Sequence, residues 1–405
     1  MADAFLHPFA RPARPEASFV EVVRAEGSSL WDADGRRYVD GLANLWNCHV
    51  GHGRREIVDA VAHQLATLDC YNTFEPFTNR PAVAAAEAIR SRSPHPDGRV
   101  FLGCSGSDAV DTALKLVRAV HQRRGDADRQ VVLTRTRGYH GTNAGGTSLQ
   151  GLEPNRVGWG DLVPHVRELP ADDLEAAARA FADHGDRIAA VIAEPVQGAG
   201  GVHPPAEGYL PGLRRLCDDH GALLVLDEVI TGFGRTGRWF AADTYGVRPD
   251  LLTFAKGVTS GYQPLSGVLL SAEVAAVLEA DEDWMLRTGY TYSGHPAACA
   301  AAVANLDLLD SEGLVERAVH VGDRLGPALR SMVDDGLVDA CRGVGAIWAV
   351  DLGEDALPVR DRLLEAGVVL RPIGQTLAVC PPLSIPDEDL DAIVDALAAE
   401  RLAWR

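Results

Sequence analysis

Residues 251–257 read Leu251-Leu-Thr-Phe-Ala-Lys-Gly257, a short apolar run that ends in a lysine and a glycine. Lys256 is one of only two lysines among 405 residues, and the other is Lys115. Arginine cannot give up its proton to become an amine nucleophile, whereas a lysine that ends a buried strand has a desolvated side chain and a lowered pKa. This setting suits a lysine that forms a Schiff base. On position alone, a surface lysine in a chain that prefers arginine is an equal alternative.

Apolar runs of the same kind recur on both sides of this stretch, separated by helical patterns. They are RVFLGC (99–104), QVVLTR (130–135), AAVIAEP (189–195), ALLVLDEV (222–229) and SGVLLS (266–271). Continuous apolar strands that alternate with helices predict an α/β protein whose mostly parallel sheet is covered on both faces. Ligands of such sheets bind beyond the carboxyl ends of the strands.

The two ends of the chain follow a different pattern. Two short strand-like runs lie in the first forty residues, and helices mixed with strands follow residue 295. We therefore predict a large domain over residues 49–295 and a smaller domain over 296–405, against which residues 1–48 pack.

Bulk composition excludes several classes of protein. The net charge of −19 and the pI near 5.1 argue against nucleic acid or an anionic membrane as the main partner. No apolar run is long enough for a membrane span, and the first residues do not resemble a signal peptide. Seven scattered cysteines without a C-x-x-C pair predict reduced thiols in a cytoplasmic protein, with no zinc site.

Ser105-Gly106-Ser107 stands where the strand RVFLG gives way to a helix. Free N–H groups and the positive end of the helix dipole suit a phosphate group at such a position. An ordinary serine N-cap explains the same pattern, and caps are commoner than anion sites. Lys115, a little over two turns into this helix, is interpreted as a structural or surface residue.

Two other predicted strands end in residues that suit a flat, charged cofactor. Asp227 could hold a protonated ring nitrogen through a charge-assisted hydrogen bond, although it could equally bind a metal or cap a helix. A metal is disfavoured because no histidine or carboxylate cluster accompanies it at ligand spacing. Tyr139 could stack on a ring, while His140 is more often structural than catalytic.

The G-x-G-x-x-G at 232–237 lacks the following helix and the later acidic residue of a dinucleotide site.

A phosphate cradle, a ring stacker, an aspartate for a ring nitrogen and a Schiff-base lysine together favour pyridoxal 5'-phosphate (PLP) as the cofactor. The blocks SGSDA, GYHGT, AEPVQGAGGV, DEVITGFGRTG, TFAKG and YTYSGHP, in this order, resemble those of class III (ω-) aminotransferases of the fold-type I PLP superfamily. The resemblance runs over nearly the whole chain. It implies a large domain with a mostly parallel seven-stranded sheet and a smaller α+β domain formed by the N- and C-terminal segments.

The resemblance also implies roles for individual residues. Lys256 would form the Schiff base and carry the substrate proton, and Asp227 would keep the ring nitrogen protonated. Thr291 would reach the phosphate of a neighbouring subunit, which implies a homodimer with shared active sites. The remaining cofactor contacts implied are Ser105, Gly106, Ser107, Tyr139, His140, Glu194 and Val229.

The segment GVVLRPIGQTLAVCPPL (367–383) resembles the amine:pyruvate branch of the class. In that branch an arginine, here Arg371, pairs with a substrate carboxylate and swings out for an apolar amine; a surface salt bridge is the alternative. The substrate pocket would be lined by Phe9, Trp46, Phe74 and Tyr139. The chain departs from the family pattern at Asp108, where glutamate is usual, and in a compact stretch around 150–187.

The favoured function is ping-pong transfer of an amino group from an amine or ω-amino acid to a keto acid, with pyruvate as the favoured acceptor. Another class III reaction, by an aminomutase, decarboxylase or epimerase, is the main alternative. A nucleotide-dependent oxidoreductase that uses residues 232–237 and an inert PLP-fold binding module are weaker alternatives. Neither nucleic acid nor membrane is expected as a partner.

Overall fold

The computed structural model describes residues 4–403. The strands are β1 (Val22–Glu26), β2 (Ser29–Asp32), β3 (Arg37–Asp40), β4 (Arg99–Gly103), β5 (Val131–Arg135), β6 (Val166–Leu169), β7 (Ile188–Ala193), β8 (Leu223–Asp227), β9 (Leu251–Phe254), β10 (Ser266–Leu270), β11 (Ala340–Val344), β12 (Ile347–Asp351), β13 (Val368–Val369), β14 (Arg371–Ile373) and β15 (Thr376–Val379). The helices are α1 (Ala43–Trp46), α2 (Arg55–Thr67), α3 (Arg80–Ser91), α4 (Gly106–Arg123), α5 (Ala144–Leu149), α6 (Leu174–His184), α7 (Tyr209–His220), α8 (Ala241–Thr244), α9 (Ala272–Glu279), α10 (Pro296–Ser311), α11 (Leu314–Asp334), α12 (Ala356–Glu365) and α13 (Asp387–Ala403).

Seven strands form the central sheet in the order β4-β10-β9-β8-β7-β5-β6. The strands from β9 to β6 are parallel, and β10 runs antiparallel to both of its neighbours. Because β4 and β9 both oppose β10, they point in the same direction. The predicted mostly parallel, seven-stranded α/β sheet is confirmed.

Both faces of this sheet are buried, as continuous apolar strands require. Along β8, Leu224 and Leu226 contribute to one hydrophobic cluster, while Leu223 and Val225 contribute to the other. Helix α4 packs its apolar side into the second cluster, and α10 lies in the first. Packing of helices on both faces of the sheet fixes the positions of the strand ends at the site.

The N- and C-terminal parts of the chain meet in a second sheet of order β1-β2-β3-β13, in which β13 runs parallel to β3. A third sheet has the order β11-β12-β15-β14. The apolar run 367–373 contains two short strands, β13 and β14, which belong to different sheets. The domain boundaries near 48 and 295 stay predictions.

None of the described helices is both long and apolar enough to cross a membrane. All seven cysteines lie within the described residues, and each is a free thiol.

Candidate active site

The carboxyl ends of adjacent strands bring the candidate residues to one edge of the central sheet. Asp227 is the last residue of β8 and pairs with Thr253 of β9, so Lys256 follows three residues beyond that pair. Glu194 directly follows β7, the other neighbour of β8. Strand β4 points the same way as β9, which places the start of α4 at this edge as well.

A cavity of about 140 Å³ opens at this edge. Its walls include eight of the predicted cofactor residues: Gly106, Ser107, Tyr139, His140, Glu194, Asp227, Val229 and Lys256. The structure therefore brings a lysine, two carboxylates and a helix start into one small space.

Asp227 is held by three donors. His140 donates from Nδ1 to Asp227 Oδ2 over 2.7 Å, and Oδ1 accepts from the Thr253 hydroxyl and the Val229 amide over 3.0 and 3.2 Å. The carboxylate is only 4% exposed. Charge-assisted bonds of this kind fix its orientation.

Lys256 lies at the wall of the cavity and makes no hydrogen bond through Nζ to any described residue. Burial lowers the pKa of Lys256, while the charges of Asp227 and Glu194 act in the opposite direction. A lowered pKa leaves more of the amine unprotonated at a given pH, and the unprotonated amine is a nucleophile.

Glu194 orders the backbone around the cavity. Its carboxylate accepts from the Tyr139 amide over 2.8 Å and from the Gly198 amide over 2.9 Å. Burial raises the pKa of Glu194, and the neighbouring His140 opposes that effect. Tyr139 is thus held through its main chain, which leaves its ring free to cover a ligand.

Ser105 is the N-cap of α4, since its hydroxyl accepts from the Asp108 amide over 3.1 Å. The helix-cap interpretation is therefore correct for this serine, and Ser105 does not line the cavity. Gly106 and Ser107 do line it, and the amide of Thr142 donates to Ser107 Oγ over 2.9 Å. The N-cap residue of α4 is therefore followed directly by two residues that line the cavity.

Arg371 stacks on Trp46, with its guanidinium carbon 5.4 Å from the centre of the ring. Its Nε is buried without a hydrogen-bond partner, and burial lowers the pKa of Arg371. Trp46 itself is 2% exposed, in a cluster with Ile230 and Cys380. The arrangement is a buried cation held by a ring face, not a surface salt bridge.

Like Ser105, Trp46 and Arg371, three more predicted residues are not among the residues that line this cavity. Phe9 and Phe74 are 75% and 51% exposed, and Thr291 is exposed on the loop before α10. Their substrate and cofactor roles stay predictions.

The glycine-rich segment 232–237 is a buried turn. Arg235 within it is fully buried and donates to the carbonyl oxygens of Ala346 and Pro381 over 3.2 and 2.6 Å. No dinucleotide-binding helix follows, in agreement with the interpretation of its sequence.

Four further residues line the cavity that the sequence did not single out: Val110, Gly141, Ile230 and Ala255. Gly141 has φ +92°, and a Cβ there would lie 2.6 Å from Ser107 Oγ. Gly141 belongs to the block GYHGT, so the sequence did carry a signal that could have identified it. The apolar residues carry no such signal, because any core residue has the same character.

The residues present fit PLP. An amine without a partner, a fixed carboxylate and the unpaired N–H groups of a helix start correspond to its aldehyde, ring nitrogen and phosphate. Within residues 4–403, no group of three or more His, Cys, Asp or Glu side chains is placed to hold a metal ion.

Comparisons with known proteins agree with this geometry. The family model for class-III aminotransferases matches residues 11–400. An omega-amino acid–pyruvate aminotransferase from Pseudomonas putida is 38% identical over 93% of this chain and 90% of its own length. A putrescine–pyruvate aminotransferase from Pseudomonas aeruginosa is 35% identical over 92% and 88%, respectively. Among solved structures, the PLP-bound amine transaminase from an uncultivated Pseudomonas species superposes with a TM-score of 0.95, at 35% identity over 99% of both chains.

Proposed function

The chain belongs to the class III aminotransferase family, and we propose from this premise that it moves an amino group from a primary amine or ω-amino acid to pyruvate. It is a PLP-dependent aminotransferase. The names of both curated relatives include pyruvate, which supports this acceptor. Because those relatives are aminotransferases, they favour transamination over an aminomutase, decarboxylase or epimerase reaction.

One observation carries the proposal: the partnerless amine of Lys256 faces the same cavity as the fixed carboxylate of Asp227. When bound, PLP supplies a protonated ring that withdraws electrons from the reacting carbon. Lys256 would hold the cofactor covalently and, once released, would move the substrate proton. Asp227, oriented by His140, would keep the positive charge on the ring nitrogen.

The other walls of the cavity would position the cofactor. The start of α4, with Gly106 and Ser107, would bind the phosphate. Tyr139 would cover one ring face and Val229 the other, and Glu194 would hold the main chain that presents Tyr139. Together these contacts would exclude water from the reacting carbon.

Arg371 would select among substrates. A buried guanidinium whose Nε has no partner would pair with a carboxylate in a bidentate manner. For a substrate without a carboxylate, the arginine would remain stacked on the ring of Trp46. Replacement of Arg371 by alanine should therefore slow the single-turnover half-reactions with pyruvate and with β-alanine by at least about 30-fold, and the half-reaction with 1-phenylethylamine much less. Equal losses would contradict this role.

We further infer that the active unit is a homodimer and that it works in the cytoplasm. Exposed aromatic side chains on the loops around 71–77 and 290–292 support an interface between copies, and Thr291 lies among them. Free cysteines and an acidic composition support the cytoplasm.

A visible spectrum tests the proposed function. Purified protein with PLP should show a band that borohydride reduces onto the chain, and the adduct should map to Lys256. Lys115→Ala, at the other lysine of the chain, is the matched control and should keep the band, while Lys256→Ala should lose it. The amine should bleach the band, and pyruvate should restore it faster than 2-oxoglutarate. A band that no amine bleaches would contradict transamination, and faster recovery with 2-oxoglutarate would contradict the acceptor.

A further inference from the structure

The turn that carries Lys256 has an unusual backbone. Residues Lys256–Val258 form a single 3-10 turn after β9, and Lys256 itself has φ +48°. Ser260, just beyond the turn, has φ +49°. Residues with a Cβ rarely adopt such left-handed conformations, because the Cβ approaches the following carbonyl group. Contacts from elsewhere in the molecule must therefore hold the turn.

Asn305 supplies those contacts from the middle of α10. Both hydrogens of its side-chain amide are used: Nδ2 donates to the Gly257 carbonyl over 2.8 Å and to the Val258 carbonyl over 3.0 Å. The side chain is fully buried in an otherwise mostly apolar helix. Both amide hydrogens of Asn305 are thus donated to the turn and not to another residue of α10.

Ser260 completes the link. Its hydroxyl donates to Asn305 Oδ1 over 2.6 Å and accepts from the amides of His49 and Val50, each over 3.2 Å. The His49 ring lies against Gly257, where an added Cβ would be 2.3 Å from His49 Cε1. The lysine turn is thus held between α10 on one side and the 49–50 segment on the other.

We propose that Asn305, together with Ser260, is a positioning residue that holds the turn of Lys256 and so fixes where the lysine amine lies relative to Asp227. The argument rests on the proposed function only in assigning the amine to PLP. If the backbone of this turn rotated, Nζ of Lys256 would move away from Asp227, because the long lysine side chain amplifies the rotation. A buried asparagine about two and a half turns into α10 therefore acts on a lysine with which it makes no hydrogen bond.

The two lysines of the chain allow a direct test on full-length protein freed of PLP. Formaldehyde and cyanoborohydride methylate unprotonated amines, and peptide mass spectrometry reports Lys256 against exposed Lys115 as internal reference. Labelling across a pH series gives the pH at which half of Lys256 reacts. In Asn305→Leu, which keeps the volume but not the donors, this midpoint should rise by about one pH unit as water reaches the amine. PLP should dissociate from the reloaded variant about tenfold faster.

Leu306→Ala is the matched control, since it weakens the same helix from a fully buried neighbour without touching the turn. It should leave the methylation midpoint within about 0.3 pH unit of wild type and the PLP dissociation rate within about twofold. Ser260→Ala should change both in the same direction as Asn305→Leu, by a smaller factor, and covers the case in which Asn305→Leu does not fold. Its control is Ser28→Ala, which also removes one buried hydroxyl, bonded to Asp389 over 2.5 Å.

An unchanged midpoint and dissociation rate in both turn variants would overturn the inference. Equal shifts in Leu306→Ala and Asn305→Leu would overturn it too, since they would reflect general loosening of α10. Failure of the proposed function is a separate result: wild type would then form no borohydride-reducible band, or a band that no amine bleaches, whereas the methylation midpoints require no PLP.

Discussion

Asp227 and Asp40 are buried carboxylates that each accept a hydrogen bond from a histidine. His140 Nδ1 lies 2.7 Å from Asp227, and His52 Nε2 lies 3.0 Å from Asp40, whose carboxylate also accepts two backbone amides. The two pairs are chemically alike, but only Asp227 faces the cavity. The location of a charged pair, rather than its existence, therefore separates a cofactor contact from a structural one.

Asp227→Asn keeps the shape of the side chain and removes its charge. We expect kcat/KM for the amine to fall by at least about 100-fold, equivalent to about 3 kcal/mol, because the ring nitrogen loses its anionic partner. Steady-state kinetics and PLP release measure the effect. Asp40→Asn should lower the melting temperature without accelerating PLP release. Equal PLP loss in the two variants would show that Asp227 acts through folding alone.

His203 makes the protein sensitive to acid. Burial, then the nearby Arg342 and Arg137, lower the pKa of His203 from 6.5 to about 4. Between these values the unfolded chain binds a proton that the folded chain does not, so stability is lost as the pH falls from about 6.5 towards 4. For this partly exposed ring we expect a loss of about 1 kcal/mol by pH 5.

Urea unfolding at pH 7.5 and pH 5.0 measures this effect. His203→Gln should lose less of its unfolding midpoint between the two pH values than wild type does. His63→Gln, on the exposed side of α2, controls for the removal of one histidine and should follow wild type. An identical acid response in all three proteins would contradict the prediction.

At the scale of elements, the strands that the sequence predicts are those buried on both faces. Strand β7 is apolar throughout and is followed by Glu194, and β8 is apolar up to its last residue, Asp227. Strand β6 escapes the prediction because it reads VREL at an edge of the sheet, where two of its four side chains are exposed. Arg371 is the first residue of β14, just after β13 ends at Val369, and the apolar pattern of the sequence does not reveal this break.

The same limit applies to the site. The residues at strand ends could be predicted because parallel strands bring their carboxyl ends together. Asn305 could not, since it lies 48 residues from the Gly257 carbonyl that it binds, in a helix whose pattern shows only burial. Phe9 and Phe74 belong to loops without periodicity, so sequence spacing does not fix where they lie.

At the start of α4, helix capping and the proposed phosphate contact are assigned to two different serines, Ser105 and Ser107. Ser105→Ala removes the N-cap bond and should cost about 1 kcal/mol of stability with little change in PLP affinity. Ser107→Ala should weaken PLP binding by about three- to tenfold with little change in stability. Chemical denaturation and PLP titration of both variants measure the two effects. The reverse assignment of losses would show that Ser105 holds the phosphate.

At the scale of the whole molecule, the neighbouring loops around 71–77 and 290–292 form a face with exposed aromatic side chains, which a second copy would cover in the proposed homodimer. Tyr292 and Tyr71 on that face are 59% and 50% exposed. The loop that presents Thr291 is nevertheless well anchored, since the Tyr290 hydroxyl bonds Thr112 over 3.0 Å and the Asp108 carbonyl over 3.1 Å. An exposed threonine on a loop that is tied to the start of α4 would be suited to act on a neighbouring subunit.

Mixed dimers test whether Thr291 acts across the interface. Thr291→Val removes the hydroxyl and keeps the shape, and should release PLP about threefold to tenfold faster than wild type or Thr288→Val on the same loop. When Thr291→Val is combined with Lys256→Ala subunits, each mixed dimer holds one site with an intact lysine and the other subunit's intact Thr291. If the threonine reaches across, a slow wild-type phase of PLP release should appear only after mixing. If it serves its own subunit, every site with a lysine also carries the valine, and release stays fast at every mixing ratio.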